Sequence, residues 1–321
     1  MSDKIYSLVV PLYNEELVIN ESYRRLKSIM EKTEEEYEII FVNDGSKDLT
    51  RDIAEEICKR DSKIKLVNFS RNFGHQAAIT AGMNIALGRA VIVIDADLQD
   101  PPEVILEMIK KWKEGYEVVY GKRSKREGES FFKKFTAKMF YRILKSMTST
   151  DIPVDTGDFR LIDRKVCDAL NALPEKNRYV RGLVSWVGYR QTFVEFERQE
   201  RFAGETKYPL KKMLKLAFDG ITSFSYKPLV AATYLGGTLF SVGVISTVAI
   251  LISNLIKMHG IMTLGLLLSI NLMLFGAVFT MLGIMGEYVG RIFDESKNRP
   301  LYIVSEVINY KELPKKYEII S

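Results

Sequence analysis

Ala90-Val-Ile-Val-Ile-Asp95-Ala-Asp97-Leu-Gln99-Asp100-Pro101-Pro102 is the stretch that decides the fold. Apolar, mostly β-branched residues run without a polar interruption into a group of carboxylates, as a strand buried on both faces does when it ends at a site. Working outward, similar runs stand at Ile5 (IYSLVVP), Tyr37 (YEIIFVN), Ile64 (IKLVNF) and Glu117 (EVVYG), with segments of helical length between them. Repetition of strand and helix predicts an α/β domain with a mostly parallel sheet covered on both faces. Sites in such a sheet lie at the carboxyl ends of its strands. The stretch from Val154 to Glu205, with a predicted helix over Asp163–Leu173 and the strand candidate GYRQTFVEF, completes this domain, so its expected extent is 1–205.

The chain has 321 residues, room for about two units at roughly 150 residues each. Its 47% hydrophobic and 27% charged residues exclude a disordered or low-complexity chain. The charge is unevenly placed: no Asp, Glu, Lys or Arg occurs from Leu229 to Ile256 or from Gly260 to Gly286. Each segment exceeds the ~20 residues needed to cross a bilayer, and only Lys257, Met258 and His259 join them. A transmembrane hairpin over 228–287 is therefore predicted, with spans at about 229–256 and 260–286 and a tail over 288–321. Before it, over 206–227, Leu210, Met213, Leu214, Ala217, Ile221 and Phe224 form one helical face and Lys211, Lys212 and Lys215 the other, a pattern suited to a membrane surface.

Lys207, Lys211, Lys212, Lys215 and Lys227 on one flank and Arg291, Lys297 and Arg299 on the other place both ends of the hairpin on the cytoplasmic side. The expectation is a multi-pass protein of the plasma (inner) membrane whose first domain and termini are cytoplasmic. No cationic n-region or cleavage site opens the chain. Cys58 and Cys167 lack the spacing of a zinc site or a disulfide framework. A net charge of +5 without a basic cluster interleaved with aromatics sets nucleic acid aside, while a homo-oligomer stays open.

Residues i and i+2 of an extended chain point the same way, so Asp95 and Asp97, with Gln99 next on that face, can offer hard oxygen ligands to one divalent cation. A metal held by so few protein groups keeps positions for substrate phosphates, which is leaving-group chemistry. An acidic pair in a solvated turn is the plainer alternative. The first strand ends in Pro11-Leu12-Tyr13-Asn14-Glu15 and the second in Asn43-Asp44-Gly45-Ser46. Asp44 can accept from a base or ribose, Tyr13 can pack on a ring, and Gly45 permits close backbone approach, though the same tetrapeptide also makes an ordinary turn. No GxGxxG is present, and Gly115 to Gly121-Lys122-Arg123 has the wrong spacing for a phosphate loop.

PLYNEE from Pro11, VNDGSKD from Val42, SRNFGHQAAITAGMNIALG from Ser70, DADLQDPPE from Asp95, GKR from Gly121 and VDTGDFRL from Val154 occur in this order. Two spans and GEYVGRIFDESKNRPLYIV from Gly286 follow. Over nearly the whole chain this series resembles the polyprenyl-phosphate glycosyltransferases of glycosyltransferase family 2, above all the bactoprenol (undecaprenyl-phosphate) glucosyltransferases. Over the first domain it is similar to the dolichol-phosphate mannose synthases. Asn43 departs from the pattern, since many relatives carry a second aspartate there.

The resemblance implies a GT-A fold, a nucleotide-sugar donor bound with Mg²⁺ or Mn²⁺, and inverting transfer onto polyprenyl phosphate. UDP-glucose is the donor it favours, with UDP-GlcNAc, UDP-galactose or GDP-mannose open, as is a catalytically inactive membrane scaffold. It assigns Asp95, Asp97 and Gln99 to the metal and diphosphate, and Pro11, Tyr13, Asn14, Glu15, Asp44 and Ser46 to the nucleoside. Asp158 matches the family's catalytic acidic position, where it orients the attacking phosphate or assists the metal site, a buried pair with Arg160 being the alternative. The cations that let one anion approach another are expected among Arg123, Lys134, Arg201 and Lys207. His75 is expected to cap or pack the start of a helix.

Overall fold

A computed structural model describes residues 5–124, 156–176, 178–199, 227–256 and 260–310. They fall in two units, one built from residues 5–124, 156–199 and 300–310 and the other from 227–299. The first unit is an eight-stranded mixed sheet among the described residues. Its strands are β1 (Tyr6–Leu12), β2 (Tyr37–Asn43), β3 (Ile64–Phe69), β4 (Ala90–Val93), β5 (Val118–Arg123), β6 (Thr156–Asp163), β7 (Gln191–Phe196) and β8 (Val304–Ile308). They lie in the order β7-β5-β6-β4-β1-β2-β3-β8.

β1 pairs in parallel with both β2 and β4, and β2 with β3. This centre comes from the near-continuous apolar runs: every residue of β1, β2, β3 and β4 is buried. Side chains alternate across the sheet, so Tyr6, Leu8, Val10 and Leu12 share one core with residues of α1 (Ile19–Glu31), α2 (Thr50–Arg60) and α4 (Val104–Lys113). On the opposite face α3 (His75–Ile85) packs against β1, with Gly82 directly over Val9. α5 (Arg164–Ala172) packs against α3 and α6 (Val180–Trp186) against α5. A fully buried Leu or Ile is worth roughly 1.5–3 kcal/mol, so the two faces together commit this sheet to the interior.

The expectation of a mostly parallel sheet holds, β5 and β7 also pairing in parallel, with β6 and β8 the antiparallel strands among the described residues. β6 inserts between β4 and β5, antiparallel to both. It carries buried Thr156, Asp158 and Arg160, and its polar face hides it from an apolar reading. The predicted helix 163–173 is α5, with Asp163 as its N-cap accepting from Lys165 N at 3.1 Å.

The second unit holds α7 (Lys227–Ile256, 30 residues) and α8 (Gly260–Ser296, 37 residues), which pack on each other. Both are long and apolar enough to cross a membrane. None of the window Met273–Ser296 is buried, and Phe275, Phe279 and Val289 are each at least 60% exposed, so this helix asks for apolar surroundings. The stretch expected as a tail divides in two. Residues 288–296 continue α8, and Val304–Ile308 return as β8 against β3, antiparallel. Tyr302 stacks on Phe69 at 4.9 Å and accepts from Asn84 Nδ2 at 2.9 Å, Ser70 N donates to Ile303 O at 3.0 Å, and Asn309 Nδ2 donates to Cys58 O and Ile64 O. The predicted surface helix lies outside the described residues, apart from Lys227, which opens α7.

Candidate active site

β1 has β2 on one side and β4 on the other, so the chain switches direction across the sheet at β1. At such a point a crevice opens beyond the carboxyl ends of the strands. The ends of β1, β2 and β4 meet there, joined by the end of β5 and, because β6 runs the opposite way, by its start. The topology thus brings together residues 11–15, 43–46, 95–100, 121–123 and 156–160 from five strands.

The first two strand ends are laced to each other. Asn14, at φ 54°, donates its N–H to Ser46 Oγ at 3.0 Å and accepts from Lys47 N at 2.9 Å, and Glu15 N donates to Thr50 Oγ1 at 2.7 Å. Asp44 is buried, and its carboxylate accepts from Phe73 N at 2.6 Å and from Gly74 N at 3.0 and 3.2 Å. Burial pushes this carboxyl up from its ordinary value, while the two amides and the charge of His75 draw it back. Gly45, at φ +65°, faces the backbone of Arg71 and Asn72, where a Cβ would stand 2.5 Å from the Arg71 carbonyl carbon. The close approach anticipated for a ligand is thus already made by the protein's own 70–74 segment. Asn43 Nδ2 donates to Asn68 Oδ1 at 2.9 Å and ties β2 to β3.

Asp95-Ala-Asp97-Leu-Gln99 follows β4 as a turn, not as the extended chain expected, with Leu98 at φ 56°. Exposure still alternates: Asp95, Asp97 and Gln99 are half-exposed, whereas Ala96 and Leu98 are buried. Asp97 Oδ1 accepts from Gln99 N at 3.1 Å. Asp100, 3% exposed, turns inward and takes Arg123 Nη2 at 3.2 Å on both oxygens, with Arg198 Nε at 3.7 Å. Arg123, at the end of β5, is therefore held by a carboxylate that sequence reasoning passed over.

On the start of β6, Asp158 is 6% exposed and ringed by donors: Arg181 Nε at 2.9 Å and Nη2 at 3.1 Å, His75 Nε2 at 3.1 Å and Gln76 Nε2 at 3.4 Å. Burial alone would raise it, but Arg181 and His75 hold it well below the usual carboxylate range. Arg160, the partner considered from sequence, is 3.5 Å away and gives its bonds to the Asp158 and Gly157 carbonyls instead. His75 stands at the start of α3 but Gly74 is its N-cap, so of the two expectations, capping or packing the helix start, capping is not met, and the ring is set between Asp158 and Asp95, 3.6 Å from Asp95 Oδ1. Against the cost of burial, these two carboxylates raise His75 to about 9.

Asp95 Oδ1 is buried and has no hydrogen-bond partner among the described residues. Burial, with Asp158, Asp97 and Asp100 nearby, pushes the Asp95 carboxyl up to about 6 in spite of His75. A buried carboxylate oxygen without a hydrogen bond, beside a second half-exposed carboxylate, fits a hard divalent cation. Among the described residues no group of three or more His, Cys, Asp or Glu is arranged to hold a metal ion by itself. Lys134, Arg201 and Lys207 lie outside the described residues.

Residues 7–170 match the family model described as glycosyl transferase family 2. The chain belongs to that family. Its mixed sheet is a GT-A domain, and the protein is a glycosyltransferase. It is 61% identical over 301 residues to the uncharacterized glycosyltransferase YkcC of Bacillus subtilis (strain 168), covering 94% of this chain and 93% of that one. It is 41% identical over 298 residues to the bactoprenol glucosyl transferase of Shigella phage SfV, covering 93% and 97%. With the prophage bactoprenol glucosyl transferase homolog of Escherichia coli (strain K12) the identity is 40%, over 94% and 98%.

Proposed function

We propose that this glycosyltransferase moves one sugar, glucose from UDP-glucose by preference, onto the phosphate of a polyprenyl lipid such as undecaprenyl phosphate, with inversion at the anomeric carbon. The observation that carries the reading is the corner at the end of β4. There Asp95, with one buried oxygen that makes no hydrogen bond, and Asp97 precede Asp100, which holds Arg123, at the point where β1 and β4 part. The bactoprenol glucosyl transferases at about 40% identity supply the acceptor class and the sugar, and two helices fit to cross a membrane supply the place where a lipid acceptor resides.

In the reaction, an oxygen of the acceptor phosphate forms a bond to the anomeric carbon as the bond from that carbon to the donor's diphosphate breaks, releasing the nucleoside diphosphate. A phosphate monoester has its second pKa near ~6 and is largely dianionic at neutral pH, so no strong base is required. Asp158, wrapped in donors and held ionised, is suited to organising charge and not to taking a proton. Asp95, Asp97 and Gln99 would hold Mg²⁺ or Mn²⁺, which when bound neutralises the charge of the departing diphosphate. Pro11, Tyr13, Asn14, Glu15, Asp44 and Ser46 form the nucleoside side of the crevice. Arg123, Lys134, Arg201 and Lys207 serve the acceptor phosphate. The basic flanks of the hairpin put the catalytic unit on the cytoplasmic side of the plasma membrane. Anchoring there turns a search through solution into a local encounter.

The test incubates detergent-purified protein with undecaprenyl phosphate, Mn²⁺ or Mg²⁺ and radiolabelled UDP-glucose, UDP-GlcNAc, UDP-galactose or GDP-mannose. Asp97→Ala and EDTA samples run alongside. Label entering the organic phase from UDP-glucose alone, and lost in both controls, is the expected result. Label from another donor replaces the sugar, and no label from any donor overturns the transfer reading in favour of an inactive scaffold.

A further inference from the structure

The ring of His75 has no local reason to be where it is. It is the first residue of α3, gives the helix no cap, and is carried to its place by the 70–74 segment. Three separate features fix that segment. Asp44 accepts the amides of Phe73 and Gly74, Gly45 lets the backbone of residues 71 and 72 lie against it, and Ser70 N donates to Ile303 O. Phe73 also packs edge-on against Phe69, 5.7 Å between ring centres, and Phe69 stacks on Tyr302. The result is an imidazole held between carboxylates of two strands, 3.1 Å from Asp158 on β6 and 3.6 Å from Asp95 after β4. On its far side Asp158 meets the two-pronged Arg181.

We propose that His75 is a positioning residue for sugar transfer, fixing the Asp158 carboxylate, jointly with Arg181, against the Asp95–Asp97 corner. This rests on the transfer reading given above. A carboxylate can turn about its last torsion. Arg181 takes both oxygens of Asp158 and His75 adds a second donor to Oδ2 from the start of α3, so the carboxylate is held from two elements at once. Without the His75 donor, Asp158 keeps Arg181 and Gln76 but loses its link, through the imidazole, to Asp95.

The test uses the full-length protein in detergent and two substitutions. His75→Leu removes the donor at similar volume, and His75→Gln keeps an N–H at similar reach. Transfer to lipid phosphate gives kcat and the donor KM, calorimetry with Mn²⁺ gives UDP affinity, and a thermal melt reports folding. A misplacement of this kind costs on the order of 30- to 100-fold in kcat, so His75→Leu should lose about that much. Donor KM and UDP affinity should stay within about threefold of wild type, and His75→Gln should regain about tenfold of the lost kcat. Should the Leu protein fail to fold, His75→Asn, whose amide stops one bond shorter, takes its place. A Leu variant that keeps more than about a third of wild-type kcat overturns the inference. So does a Gln variant no better than Leu, or parallel loss of kcat and UDP affinity. Wild-type protein that labels no lipid overturns the transfer reading and this inference with it, whereas active wild type beside an unimpaired Leu variant overturns the inference alone.

Discussion

Gly45→Ala should unseat the segment that joins the nucleoside side of the site to its acidic side. A Cβ at this position would stand 2.5 Å from the Arg71 carbonyl carbon and 2.6 Å from Asn72 N, where ordinary contact begins at 3.4 Å. Both atoms are backbone, so relief needs a retreat of about 1 Å by the whole segment. That retreat takes the Gly74 amide, now 3.0 Å from Asp44 Oδ2, beyond hydrogen-bond range. Placing alanine at φ +65° costs about 1–2 kcal/mol, and losing a hydrogen bond to a charged group costs about 1.5–3 kcal/mol. Together the loss is about 2.5–5 kcal/mol, which for a unit of this size lowers Tm by about 5–20 °C. Gly188→Ala is the control: φ is +77°, but the nearest atom to an added Cβ is 3.9 Å away, so it carries the backbone strain without the collision. Thermal melts of both proteins in detergent, with UDP titrations, measure the difference. If Gly45→Ala melts no lower than Gly188→Ala and binds UDP like wild type, the closeness of this packing has no energetic consequence and the reasoning fails.

Asp100→Asn should weaken the hold on Arg123 and Arg198, costing about 1–3 kcal/mol in a thermal melt and lowering transfer with little change in UDP affinity. Tyr302→Ala removes a nearly buried ring and its bond to Asn84, and should cost about 3 kcal/mol, seen as a Tm lower by about 6–12 °C. Asp61 accepts from Lys27 Nζ at 2.7 Å, Tyr23 Oη at 2.9 Å and Lys63 N at 2.9 Å, and these donors hold it below its ordinary value although burial opposes them. A lowered carboxyl stabilises the fold above the unfolded value of about 3.9 and loses that contribution as pH falls through the folded one. Asp61→Asn should therefore cost about 0.5–1 kcal/mol at pH 7, Lys27 being partly exposed, and the gap from wild type should close on acidification.

The central strands were legible because each is a near-continuous apolar run, and a run buried on both faces needs no partner to be recognised. β6 was not, because Asp158 and Arg160 look like surface residues until Arg181, twenty-three residues after Asp158, is brought beside it. β8 escaped because a five-residue edge strand with Ser305 and Glu306 within it is too short to stand out, and its pairing with β3 depends on a contact across more than two hundred residues. At the site, Asp95, Asp97 and Gln99 could be found from their spacing and their shared face survives, even though the backbone there turns. Asp100 was hidden by pointing inward, and its signal was the arginine at the end of the next strand. His75 had no local signal at all. Its place is set by Asp44, Gly45 and the sheet edge, none of which its neighbours in sequence reveal.

The pairing of β8 with β3 also sets an order of events during synthesis. The catalytic sheet is encoded in two pieces, with both long apolar helices between them, so β3 remains an open edge until the ribosome has passed residue 308. The strand that covers that edge also braces the 70–74 segment through Tyr302 and Ile303. A nascent chain interrupted within the helices would therefore carry every residue of the acidic corner and still lack the support that seats His75. Completion of the catalytic unit waits on the emergence of the segment after the helices, which makes a fully assembled site a marker of a chain translated past residue 308.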